Sequence, residues 1–144
     1  MIRIEKKHFM KQHNHTSLPT LLIITLLLVG TELFAQIPKG VTISISSGNS
    51  KELAKHFNND VELVILDKEN VYSRYQAEHI MKDFFTKYAP QNFNILHEGG
   101  KEGSRYAIGN LSTSNGVFRV YFLIKQKNNQ PFIHQLRIER ESGN

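Results

Sequence analysis

His134 and Tyr72 are the side chains whose type and position best suit proton chemistry in this chain. An imidazole titrates near neutral pH and can serve as general acid or base, and a phenol can donate to developing oxyanion charge. On the strand register derived below, His134 shares a dry sheet face with Phe122, and the three form a candidate pocket. The same position also suits a structural core His held by one hydrogen bond. No Asp or Glu falls on that face within the paired strands, so a carboxylate base would have to reach in from Asp67 in a turn or Asp83 at a helix edge.

Other chemistries are excluded more quickly. The chain has no Cys, which removes disulfides, thiolate metal sites and thiol nucleophiles. His56, His79, His97 and His134 are too dispersed for a metal-ligand spacing, so neither metal nor cofactor is expected. Gly99 to Gly103 lacks the Lys-Ser/Thr ending of a phosphate loop and leads into a strand, and no Gly-x-Ser-x-Gly elbow exists. The formal charge of +5 falls when residues 1–35 are set aside, leaving 14 Lys and Arg against 11 Asp and Glu, or +3. Those cations are scattered, so no nucleic-acid partner is expected.

The elements that must position these residues centre on Arg105 to Glu139. Asn115-Gly116 is a strong hairpin signal, since a type I′ turn needs positive φ at both central residues. That turn sets Ser114 opposite Val117, Leu111 opposite Val120, Gly109 opposite Phe122 and Ala107 opposite Ile124, all but the first on one apolar face. A three-residue loop near Asn128 then places Phe132, His134, Leu136 and Ile138 on the same face. The opposite, mixed face carries Tyr106, Ile108, Tyr121, Leu123 and Ile133, bordered by Arg119, Lys125, Gln135 and Arg137. Tyr and Arg around an apolar centre suit an interface, so Arg119, Tyr121, Leu123, Gln135 and Arg137 are the interface candidates.

Upstream, Ser73 to Gln76 reads as a capping box opening a helix whose stripe is Ala77, Ile80, Met81, Phe84, Phe85 and Tyr88, stopped by Pro90. Ser50 is the expected N-cap of a shorter helix carrying Leu53, Ala54 and Phe57. Val61 to Leu66 alternates as a strand closed by the polar turn Asp67 to Asn70, and Phe93 to Glu98 is a further strand. Val41 to Ser46 also alternates, which by periodicity alone spells a strand.

Residues 1–17 are polar and basic, Leu18 to Gly30 is apolar, and Ala35 precedes Gln36 in the manner of a signal-peptide cut. Met10-Lys11 is the more ordinary start for such a leader. The apolar run falls short of the ~20 residues a spanning helix needs, so no membrane span is expected after cleavage. The domains are therefore a leader over 1–35 and a single domain over 36–144, and the product is expected to be exported, periplasmic or secreted.

The run from Gly48 to Leu63 resembles the opening of a nuclear-transport-factor-2-like (cystatin-like) domain. Val71-Tyr72-Ser73, the Phe84-Phe85 helix, Tyr106 to Gly109, Arg119 to Phe122 and His134 to Glu139 resemble the secreted bacterial family known as domain of unknown function 4783. The resemblance runs over roughly Ile37 to Glu141. It implies an α+β fold, a cone-shaped, strongly curved, mostly antiparallel sheet packed on helices, with Val41 to Ser47 helical despite its alternation. β-branched residues lower helix propensity by only tenths of a kcal/mol each, which packing overrides. Similar cones often dimerise through the convex face. The expectation is a non-enzymatic exported module using that face, and the cone mouth as a second site, with itself, another exported protein or a small apolar ligand as partner. The alternative is an isomerase- or dehydratase-type enzyme built around His134.

Overall fold

The computed structural model describes residues 36–141. The expected leader and Ala35 lie outside them, and Gln36 is exposed. In chain order the elements are α1 (Lys39–Ser47), α2 (Ser50–Lys55), β1 (Phe57–Ile65), β2 (Lys68–Ser73), α3 (Arg74–Lys87), β3 (Pro90–Lys101), β4 (Ser104–Thr113), β5 (Gly116–Lys127) and β6 (Gln130–Arg140). The strands form one six-stranded sheet in the order β2-β1-β6-β5-β4-β3. Every pairing is antiparallel except β1 with β6.

Residues 39–47 are helical, against their alternation. Val41 and Ile45, four residues apart, are fully buried, and Ser44 turns its hydroxyl back to the Val41 carbonyl at 2.9 Å. Gly48 ends the helix in the left-handed region at φ 67°, and its N–H and that of Asn49 cap the Ile45 and Ser44 carbonyls. The next helix is capped by Asn49, whose side chain accepts from the Glu52 N–H, and not by Ser50. Phe57 leaves that helix to open β1, while remaining fully buried.

The capping box on α3 is present. The Gln76 N–H donates to Ser73 Oγ at 3.3 Å and the Ser73 N–H to Gln76 Oε1 at 3.1 Å. Ser73→Ala is expected to cost about 1 kcal/mol, read as a lower urea midpoint at unchanged slope. The expected polar turn over Asp67 to Asn70 is mostly strand. Leu66 takes φ 57° and Ile65 pairs with Lys68, so the bend is at Leu66-Asp67 and β2 follows at once.

The β4–β5 turn sits one residue earlier than its Asn-Gly signal implies. Thr113 pairs with Gly116, Leu111 with Phe118, Gly109 with Val120 and Ala107 with Phe122. Thr113 Oγ1 accepts from the Asn115 N–H at 3.1 Å and donates to the Gly116 carbonyl at 2.8 Å, and only Gly116 takes positive φ. The turn also docks on the end of α3 through Asn115 Nδ2 to the Lys87 carbonyl. The pairs slide by two residues, so each side chain keeps its expected face.

The positive φ pair appears instead at Asn128 (53°) and Asn129 (59°), closing β5–β6 with two residues, not three. A regular ladder from that turn would drive Gln135 inward opposite Phe122. A register shift at His134 prevents it: Ile124 faces Ile133, then Leu123 faces Gln135 and Phe122 faces Leu136. Leu136 and Ile138 are buried as expected, but Ile133 takes the inner position assigned to Phe132 and His134.

The inner face of the sheet packs on α1–α3 through Leu63, Leu111, Phe118, Val120, Phe122 and Leu136, all fully buried. Phe118 meets Phe84 and Tyr88 edge-on at 5.3 and 4.8 Å between ring centroids. Buried polar residues among those described are Ser44, Ser50 and Thr113, so among the described residues this core contains no Asp, Glu, His, Lys or Arg.

Candidate functional site

The three pocket candidates separate. Phe122 is fully buried in the core. His134, at the bulge, stands on the outer face beside a depression of about 270 Å³ with Asp60, Glu62, Val71, Leu123, Lys125 and Gln135. Tyr72 alone lines an inner cleft. An interior acid or base at His134 is thus overturned by the extra residue the bulge inserts.

Partial burial, then the nearby Lys125 and Lys127 ammoniums, hold the His134 pKa below its ordinary 6.5. His56, whose ring fills the space a Cβ on Gly40 would need, is also held down, chiefly by burial, partly offset by Glu52. The unfolded chain therefore binds these protons more readily. The stability tied to both rings is complete above about pH 6.5 and is lost as pH falls through their folded values. Urea midpoints are expected to drop between pH 7.5 and 5.5, and to drop less in a His56→Gln, His134→Gln double variant.

The interface candidates come together on the outer face. Alternation along β5 turns Arg119, Tyr121 and Leu123 outward, opposite Glu139, Arg137 and Gln135 of β6. Arg119, Tyr121 and Arg137 line a cleft of about 310 Å³ with Ile108 and Glu139. Arg137 is bound to Glu139 at 3.0 Å, Gln135 Nε2 donates to Glu62 Oε1 at 2.7 Å, and Arg119 has no ion pair among the described residues. Tyr106 stacks alongside Tyr121 at 6.1 Å, and its hydroxyl meets His97 Nε2 at 3.2 Å. Ile133, expected on this face, is in the core. Glu139 joins this cleft beyond the expected residues, and its i, i+2 spacing from Arg137 signals the shared face.

A second concavity, about 500 Å³, lies between α3 and the β1–β2 hairpin. Leu63, Ile65, Ile80, Phe84 and Tyr88 supply apolar lining, and Tyr72, Asp67 and Asp83 all reach it. Both carboxylates thus stand where a base would be needed. They are exposed, however, so the site lacks the dry surroundings that make fixed donors effective on an oxyanion. Among the described residues no three His, Asp or Glu side chains are grouped to hold a metal ion.

The profile of the family described as Domain of unknown function (DUF4783) matches residues 38–139. The chain belongs to this family. A DUF4783 protein from Bacteroides ovatus ATCC 8483 is 37% identical, with a TM-score of 0.72 over 74% of this chain and 97% of that one. Another, from Bacteroides uniformis ATCC 8492, is 35% identical, also at 0.72, over 75% of this chain and 100% of that one. Both crystallised relatives consist almost wholly of the matched domain, so the DUF4783 domain is a folding unit. A protein from Nostoc punctiforme described as a domain of unknown function with a cystatin-like fold shares the fold at 8% identity, TM-score 0.60, over 73% of each chain. No curated protein matches the chain.

Proposed function

We propose that this DUF4783 domain is an exported, non-enzymatic interaction module that works through the outer face of its sheet, with a second copy as its first partner. The observation that carries the reading is the cleft of Arg119, Tyr121, Arg137, Glu139 and Ile108, flanked by the stacked Tyr106. Aromatic rings and arginines around an apolar centre favour protein contact. The inner sheet face is already occupied by the core, which leaves the outer face as the sheet's free surface. Charges of both signs there, Arg119 and Arg137 with Glu62 and Glu139, allow the self-complementary pairing that a two-fold dimer requires.

Light scattering of the 36–144 domain across a concentration series tests this. A dimer that Tyr121→Ala or Arg137→Glu dissociates, at unchanged melting temperature, supports it. A monomer at every concentration, with those variants neutral in pull-downs of exported proteins, would remove the outer face as the working surface. The cleft bearing Tyr72, Asp67 and Asp83 supports a second reading, a small-ligand site at the cone mouth. Its size falls in the ~300–1,000 Å³ range of small-molecule sites, and its exposed carboxylates favour binding over proton abstraction.

A further inference from the structure

The β5–β6 tip closes on the start of β1 and the first residue of α3. Asn58, Asn59, Arg74, Lys127, Asn128, Gln130 and Phe132 surround a depression of about 250 Å³ there. Its lining is one-sided in charge: two cations, four carboxamides, one aromatic ring and no carboxylate. Arg74 lies over the Phe132 ring at 5.9 Å, and Nη2 donates to Asn59 Oδ1 at 3.3 Å. The guanidinium is therefore oriented from two sides. Its Nε is buried with no hydrogen-bond partner, and neither Arg74 nor Lys127 makes an ion pair among the described residues.

Two cations lining one depression that holds no carboxylate favour an incoming anion, and carboxamides supply further N–H donors. The positive end of the 14-residue helix α3, which begins at Arg74, adds in the same sense. The depression is smaller than the ~300 Å³ at which small-molecule pockets begin, so it suits one charged group better than a whole ligand. We propose that it binds a single oxyanion, a carboxylate or a phosphate carried by a small soluble molecule, with Arg74 and Lys127 as its charged contacts. This site is separate from the outer-face cleft and stands whether or not that cleft binds a partner.

The test is a titration of the ¹⁵N-labelled 36–144 domain with inorganic phosphate, and separately with acetate, at constant ionic strength. Saturable shifts confined to Asn58, Asn59, Arg74, Asn128 and Gln130 are expected, weakening as added chloride screens the charges. Whichever of the two anions saturates at lower concentration identifies the oxyanion class. Lys127→Gln alone, and Arg74→Gln with Lys127→Gln, are expected to weaken binding on the order of tenfold or more, the scale of a lost charge-assisted hydrogen bond. Lys127 is exposed at the strand end, so its variant folds even where Arg74→Gln weakens the helix start. Shifts that never saturate with either anion, spread over the surface, or survive in Lys127→Gln at full strength would overturn the proposal.

Discussion

Phe122→Ala is expected to lower folding stability by about 3–5 kcal/mol, with the urea midpoint falling and the slope retained. The ring has no exposed surface and sits mid-strand on β5 between Ala107 of β4 and Leu136 of β6. Its flanking strands are fixed by ladder hydrogen bonds, so the void cannot collapse without breaking them. A pocket wall would behave differently, because truncating it enlarges an existing cavity and costs little. A loss under about 1 kcal/mol would therefore place Phe122 back beside a cavity.

Deleting Arg137 is expected to cost more than deleting His134, although the two lie three residues apart on one strand. Beyond the bulge, side chains alternate strictly: Leu136 in, Arg137 out, Ile138 in. Removing Arg137 turns Ile138 toward solvent and brings Glu139 into its place. Losing the burial of one Ile costs about 1.5–3 kcal/mol, and an unpaired carboxylate in the core adds several more. The domain should then melt below room temperature or fail to fold. Removing His134 only closes the bulge, since Ile133 and Leu136 stay inward and Gln135 outward. Circular dichroism melts of the two deletions decide the matter, and equal losses would show that the bulge does not set the register.

Much of this fold was legible in the sequence wherever local chemistry had no rival. The capping box at Ser73 and the α3 stripe needed only their own residues. The β4–β5 faces survived a misplaced turn because slippage by two residues preserves the side-chain period. The Asn115-Gly116 signal misplaces the turn because Thr113 and the end of α3 hold it, and the Lys87 carbonyl is far away along the chain. Strand β2 was hidden because Lys68, Glu69 and Asn70 are exposed, leaving no apolar alternation to detect. Periodicity places His134 inward because a two-residue turn with a regular ladder would bury Gln135. The chain solves that conflict with a bulge, which no periodicity reveals. The outer-face cleft followed from correct faces on β5 and β6, whereas the depression around Arg74 joins three distant segments and has no local signature.

The parallel pairing of β1 with β6 has a consequence for how the chain is made. β6, the last strand of the domain in chain order, lies inside the sheet, and it alone joins the β1–β2 hairpin to the other strands. Before β6 is made, the β3–β5 meander and the β1–β2 hairpin share no strand pairing and meet through the helices alone. Completing the sheet must wait for β6, and long-range closures of this kind are slow.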